Sequence, residues 1–226
     1  VTVGDSGNEC AAQTTLELVV DLPPGLTEPA PYVLCDGDNP GDGVEVFDLT
    51  TRISEITGGS IGVVVTFHET LDDARTGADP IDPADAHENR DPVTGAVVNP
   101  KTVYIRGEDS STGCAETGGA SGLVLELSVV NVPDVDPPTP LEVCDTDGDG
   151  FALFDLTSKD MEIMGNDPSI TVSYHETLLD AQEGTFALSS PYANIVADLQ
   201  TVWARAEFTA APNDNGCFTV VPLDLV

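Results

Sequence analysis

The sequence predicts an all-β chain of tandem immunoglobulin-like β-sandwich repeats in a rod-like array. Three observations predict it. Four landmarks recur in the same order along the chain, the segments between them alternate apolar and polar residues at strand period, and Pro-rich stretches separate the copies.

The first landmark is LCDGDNPGDGVEVFDLT from Leu34, answered by VCDTDGDGFALFDLT from Val143. The second is FHETLDDA at Phe67–Ala74, answered by YHETLLDA at Tyr174–Ala181. KTVYIRGE at Lys101–Glu108 is answered by QTVWARAE at Gln200–Glu207. Each copy then closes with a cysteine and an apolar strand: Cys114 before GLVLELSVV and Cys217 before FTVVPLDLV. These landmarks define β-sandwich repeat 1 over 32–131 and repeat 2 over 141–226. DSGNEC followed by TTLELVVDLP reads as the closing cysteine and last strand of a preceding copy, so 1–22 is expected to be a strand remnant. The linkers 22–31 and 132–140 are Pro-rich, hence stiff and extended.

Within a repeat, VVVTFHE, TVSYHE, KTVYIRGE, TVWARAEF and LVLELSVV are β-branched or aromatic runs bounded by Gly, Asp, Asn and Pro. A two-sheet sandwich of seven or so strands follows. Leu49–Thr57 and Leu156–Met164 read as helical turns opened by Thr, or as a strand with its turn. Tyr104 and Trp203 occupy matching positions and read as core residues.

The chain carries 40 acidic and 7 basic side chains, a formal net charge of −33. Nucleic acid is excluded as a partner, because phosphate binding needs a basic footprint. Membrane insertion is excluded as well, since no apolar run approaches the roughly 18 residues a span requires. A cationic partner is the natural complement, and a divalent metal ion is the simplest. Hydrophobic residues make up 40% of the chain, enough to bury cores despite the charge. The chain starts at Val1 without a Met, which reads as a processed or excised piece.

Asp145, Asp147 and Asp149 alternate in DTDGDG, the opening half of an EF-hand-type loop. Alternation suits Ca2+, which takes six to eight oxygens from a tightly curved loop. The expected ligands in repeat 2 are these three with Asp155, helped by the Phe151 carbonyl, water or the linker acids Asp134 and Asp136. Repeat 1 offers Asp36, Asp38 and Asp42 with Asp48, in a loop two residues longer that breaks strict alternation. A solvated acidic turn is the plain alternative.

Five cysteines are present. Cys35 and Cys144 open the repeats, Cys114 and Cys217 precede the last strands, and Cys10 is the late cysteine of the preceding copy. Placing the first strand's start and the loop before the last strand at one pole favours Cys35–Cys114 and Cys144–Cys217. The rival pattern, Cys10–Cys35 and Cys114–Cys144, staples neighbouring repeats, and connectivity is not fixed by sequence. Disulfides imply an oxidising, extracellular location.

His68-Glu69-Thr70 and His175-Glu176-Thr177 lack the second His of a zinc protease and end strands rather than lie on helices. Neither a GxSxG nucleophile elbow nor a P-loop is present, and an enzyme is not expected. The motif reads as a strand end with a turn-capping acid, with Arg106 and Arg205 placed to pair with its Glu.

Taken together, CDxDxDG, FDLT, HETxxDA, the late TV-aromatic-x-R strand and the closing Cys resemble tandem repeats in very large secreted surface proteins of Bacteroidota, above all flavobacteria. Those look like adhesin-type cargo of the type IX secretion system. The resemblance implies extracellular display, β-sandwich modules and calcium at Asp145, Asp147 and Asp149, with Asp36, Asp38 and Asp42 as counterpart. Repeat 1 departs from the pattern at Asp79–Val98. The function expected is a structural repeat segment of a surface adhesin or fibre, stiffened by calcium and disulfides. Its partners are neighbouring repeats or copies of itself. Two alternatives are a calcium-dependent module binding extracellular polysaccharide or a cell surface, and a subunit of a strand-complemented polymer that uses the strand at 14–21.

Overall fold

The computed structural model describes residues 2–4, 11–13, 15–165, 167–209 and 216–226. Cys10 lies outside these residues. A short ribbon opens the chain, β1 (Thr2–Gly4) antiparallel to β2 (Ala11–Gln13). The last-strand remnant expected at 14–21 is not formed over 15–21, and residue 14 lies outside the described residues. Residues 15–30 have no regular secondary structure, and Leu16, Leu18 and Val20 are exposed. A strand needs a neighbour for its ladder. The corresponding strands of the two repeats have one, but no described strand pairs with this stretch.

Repeat 1 contains β3 (Tyr32–Asp36), β4 (Val46–Phe47), β5 (Val63–His68), β6 (His87–Glu88), β7 (Lys101–Asp109), β8 (Ala115–Glu116) and β9 (Leu123–Asn131). Its main sheet runs β3-β9-β7-β5, with β8 on β7, and β4 pairs with β6 as a separate ribbon. Repeat 2 repeats the plan with β10 (Leu153–Phe154), β11 (Ile170–His175), β12 (Tyr192–Ala193), β13 (Gln200–Phe208) and β14 (Phe218–Leu225). There the sheet is β11-β13-β14 and the ribbon β10-β12. The fold is all-β and immunoglobulin-like.

The pairing that matters most is parallel. The first strand β3 runs alongside the last strand β9, with Cys35 level with Val130 and Asp36 with Asn131. In repeat 2 a parallel bridge joins Leu141 to Leu225, and the Val143 amide donates to the Val226 carbonyl at 2.9 Å. The opening cysteine of each repeat therefore lies at the end where the last strand leaves.

Strand alternation builds the cores. Val103 and Ile105 of β7 are fully buried, as are Val202 and Ala204 of β13. Tyr104 and Trp203 fall one position out of phase and are half-buried on the opposite face, not in the core as the sequence suggested. Two compact units form. One takes in Val1–Ala30, Asp48–Asp85 and Thr102–Leu125, with Leu49, Ile56, Phe67 and Leu125 in its core. The other takes in Pro31–Phe47, Ala86–Lys101 and Glu126–Val226, with Phe154, Leu156, Ile163 and Leu223 in its core. The second unit thus holds all of repeat 2 together with β3 and the end of β9.

The helical turns at both expected places are present: 3-10 turns at Leu49–Arg52 and Leu156–Lys159 run into α1 (Ile53–Thr57) and α3 (Asp160–Met164). They open at Asp48 and Asp155 rather than at Thr. Each ends on a left-handed glycine, Gly58 or Gly165, both at φ 59°. Two further helices were not read from the sequence: α2 (Leu71–Thr76) and α4 (Leu178–Glu183). The HET threonines start them. Thr70 accepts from the Asp73 amide at 3.1 Å and donates to its carboxylate at 2.5 Å, and Thr177 does the same with Asp180.

Each linker is gripped just before its repeat begins. Glu55 of α1 accepts from the Ala30 amide at 2.8 Å, and Glu162 of α3 from the Thr139 amide at 2.5 Å. Lys159 joins the second grip, 2.9 Å from Glu162 and 2.7 Å from Thr139 Oγ1. The Thr139 amide and then Lys159 hold the Glu162 carboxyl below the usual Glu range.

Two outcomes follow. A depressed carboxylate pKa contributes stability above the unfolded-state value that is lost as pH falls through the folded-state value. Denaturant titrations of wild type and Glu162→Gln from pH 7 to 3 are expected to differ at neutrality and to converge at the acid end. Leu223→Ala, which empties a fully buried position, is expected to cost about 2–5 kcal/mol in the same assay.

Candidate functional site at the repeat joint

Cys35 is bonded to Cys217, 182 residues away, with Cα atoms 5.5 Å apart. The bond joins the opening strand of repeat 1 to the approach to the last strand of repeat 2. Neither expected within-repeat bridge is made, because the parallel pairing puts the two cysteines of a repeat at opposite ends of its last strand. In repeat 2, Cys144 follows Val143 beside Val226, whereas Cys217 immediately precedes β14. Cys35 is likewise level with Val130 near the end of β9, while Cys114 lies ahead of its start. Strands of this length span about 25–30 Å at ~3.4 Å per residue, far beyond disulfide reach. The rival pattern is not made either: Cys114 and Cys144 are free, and Cys10 lies outside the described residues. The sequence expectation erred in treating Cys35 as the start of its strand, when it is the fourth of five residues.

Around the bond, the linker and the first-repeat acidic loop come together. Thr219 Oγ1 donates to the Pro133 carbonyl at 2.5 Å. A cleft of about 350 Å³ opens between Pro40–Gly41, the linker from Asn131 to Val135, and Thr219. Asp36, next to the disulfide, is fully buried. Its Oδ2 accepts from the Gly41 and Gly43 amides at 2.8 and 3.2 Å, and its Oδ1 has no hydrogen-bond partner. A buried carboxylate oxygen left in this way is costly unless water or a cation meets it.

In repeat 2, Asp145, Asp147 and Asp149 converge, each offering an oxygen within 4.8 Å of the others. Among the described residues they are the one such cluster of three or more His, Cys, Asp or Glu. The turn is wound around Asp145, which accepts from the Gly150 amide at 2.7 Å, Gly148 at 2.9 Å and Asp147 at 3.1 Å. Those bonds, Gly150 and Gly148 foremost, pull its carboxyl down to about 2. Asp147 is pushed the other way by its contact with Asp145 and by repulsion from Asp149. All three are exposed. An all-oxygen, anionic donor set on a tight Gly turn suits a hard divalent cation and not zinc or copper.

The other acids singled out from the sequence are not brought into such a cluster. Asp42 accepts from Asn39 Nδ2 and the Val44 amide, both at 2.8 Å, which lower its pKa. Asp38 is exposed. Asp48 caps its 3-10 turn, accepting from the Thr50 amide at 3.0 Å and from Thr50 Oγ1 at 2.5 Å. Asp155 accepts from Thr157 Oγ1 at 2.6 Å and Ser190 Oγ at 2.9 Å, and its pKa is lowered by them. Both acids stand at the N-cap position of their 3-10 turns and hold the hydroxyl two residues on, while only Asp48 also caps a backbone amide with its side chain.

The HET histidines are structural. His68 is fully buried, with Nδ1 2.8 Å from the Ala78 carbonyl and Nε2 2.8 Å from Thr66 Oγ1. His175 matches it, at 2.6 Å from the Thr185 carbonyl and 2.9 Å from Ser173 Oγ. Arg106 and Arg205 do not reach across to the HET glutamates. Each pairs with the Glu two residues on, at 2.8 and 3.0 Å, and donates to the last carbonyls of α2 or α4.

Sequence reasoning missed one paired device entirely. Asn89 accepts from the Glu45 amide and donates to the Gly43 carbonyl, closing the far side of the first acidic loop. Asn194 does the same with the Ala152 amide and the Gly150 carbonyl. The signal was an Asn immediately after β6 and immediately after its counterpart β12, hidden where the repeats diverge most.

No curated protein matches the chain. Among solved structures, a crystal structure of Drosophila N-cadherin EC1-3 aligns at 14% identity, covering 91% of this chain and 67% of that one, with a TM-score of 0.26. The family model of the Flavobacterium inter-domain disulphide bond domain matches twice, over residues 31–133 and 140–226. Both copies lie on the repeats, and Cys35 and Cys217 fall in different copies. The chain belongs to the Flavobacterium inter-domain disulphide bond domain family.

Proposed function

We propose that this chain is a non-enzymatic spacer of an extracellular surface adhesin or fibre, with joints locked by disulfides between repeats and stiffened by calcium. The observation that carries the reading is the Cys35–Cys217 bond between the two matched domains. A covalent tie of that kind limits hinge motion at a linker, which serves a part that transmits force or holds a tip away from a surface. Its chain-entropy contribution is about 5 kcal/mol for a loop of this length. Disulfides persist in oxidising compartments, which supports extracellular display. Among the described residues no helix is long and apolar enough to cross a membrane.

Calcium is proposed at Asp145, Asp147 and Asp149. The residues fit: three carboxylates converge, and the raised pKa of Asp147 marks repulsion that a divalent cation relieves. Water supplies the remaining oxygens of the shell. In repeat 1 the support is narrower and rests on the unpartnered Oδ1 of Asp36.

Thermal unfolding of the disulfide-intact protein is expected to show a calcium-selective rise in Tm of about 5 °C or more, absent with magnesium and reversed by chelator. The Asp147→Asn and Asp149→Asn double variant is expected to lose that rise. An unchanged melting curve would remove calcium from the proposal and leave the disulfide spacer standing. Peptide mapping without reduction is expected to recover Cys35 linked to Cys217. Recovery of Cys35 linked to Cys114 instead would overturn the joint.

A further inference from the structure

The short ribbon β10–β12 turns a different outer face to solvent from its counterpart in repeat 1. Antiparallel pairing sets Leu153 opposite Ala193, and the Asn194 amide donates to the Ala152 carbonyl, so Phe151 comes opposite Ile195 on the same face. The chain beyond stays against this ribbon. Asn194 Nδ2 donates to the Val196 carbonyl at 2.8 Å, and the Asp198 amide to the Gly150 carbonyl at 3.0 Å. Leu153 is 64% exposed and Ile195 63%, and Phe151, Val196 and Leu199 are exposed beside them. Apolar residues exposed singly are ordinary, whereas a group of them on one face marks an interaction surface.

Repeat 1 treats the same face differently. There Val46 lies opposite Glu88, and Arg90, two residues on, pairs with Glu88 at 3.0 Å. Ala193 and Ile195 stand where repeat 1 has that ion pair. Val46 is 51% exposed although repeat 2 follows it in the chain, so a succeeding repeat does not cover this side of the ribbon.

Acids border the apolar face of repeat 2. Asp149 precedes Gly150 and converges with Asp145 and Asp147, and Asp198 is exposed where its amide meets the Gly150 carbonyl. The basic side chains of repeat 2 are Lys159 and Arg205, and they pair with Glu162 and Glu207. An apolar centre with an acidic rim is complemented by a segment that carries apolar and basic side chains together. A second copy, at a net charge of −33, is repelled instead.

We propose that the outer face of β10–β12 is a docking surface for a basic, apolar segment of a partner protein. Apolar side chains of that segment cover Phe151, Leu153 and Ile195, while its Lys or Arg side chains meet the acidic rim. The surface holds no cysteine, and its test is run in chelator, so its failure leaves the disulfide joint and the calcium reading untouched.

The full chain, isotope-labelled and with its disulfide intact, is titrated with a short peptide alternating leucine and lysine, and with a control alternating serine and lysine. The leucine peptide is expected to bind about tenfold tighter than the control, with amide shifts centred on 150–153 and 193–199. The double variant Ala193→Glu and Ile195→Arg installs the repeat 1 ion pair at exposed positions. It is expected to keep the wild-type Tm and to bind the leucine peptide about tenfold more weakly. Leu153→Ser, on the opposite strand, carries the same expectation and serves if the double variant does not fold. Equal affinity for both peptides, shifts spread over the whole acidic surface, or variants that bind like wild type would overturn the proposal. Dimerisation that these variants abolish would overturn it too, by giving the face to a second copy.

Discussion

The parallel pairing of first and last strands governs the rest of this structure. It is a small contact, five residues of β3 against the end of β9 and a single bridge at Leu141 in repeat 2. Its consequence is directional. The opening motif of each repeat, with its cysteine and its acids, is carried to the end where the last strand leaves. An antiparallel partner would have reversed that placement and turned the cysteines back on their own module.

Around that constraint the repeats build their joints from duplicated polar contacts. A short helix offers a Glu to the linker amide, an Asn closes the acidic turn, and an Arg caps the helix begun by HET. Each device pairs a side chain with main-chain groups that a bend in the chain would otherwise leave unsatisfied. The second Arg also lies 3.5 Å from the Phe218 ring centroid, tying the start of β14 to the sheet. Such contacts are individually modest. Repeated at each joint, they fix where the strands begin and thereby where the cysteines point.

The acidic loops pull against this economy. A net charge of −33 disfavours the compact state through self-repulsion, and three carboxylates within one shell concentrate that cost at a turn. The backbone amides around Asp145 offset part of it, since they hold that carboxylate ionised. They do little for Asp147, whose pKa stays raised by its contact with Asp145 and by repulsion from Asp149. In repeat 1 the balance is struck differently: Asp36 is buried, and Glu45 turns inward to accept from the Gly37 and Asp38 amides. Two extra residues in the loop were enough to separate its acids.

The repeat and the all-β class were legible because they rest on local pattern: apolar alternation, turn residues and recurring motifs. The Asp145–Asp149 convergence was legible for the same reason, since three alternating acids in a Gly turn converge by local geometry. Asp48 and Asp155 were misread because an acid before a helical turn and an acid in a metal loop look alike in sequence. The cysteine connectivity was beyond sequence altogether. It depends on whether the first strand runs parallel or antiparallel to the last, a choice made between segments some ninety residues apart. That choice is made by packing, and only the folded sheet shows that Cys35 faces repeat 2.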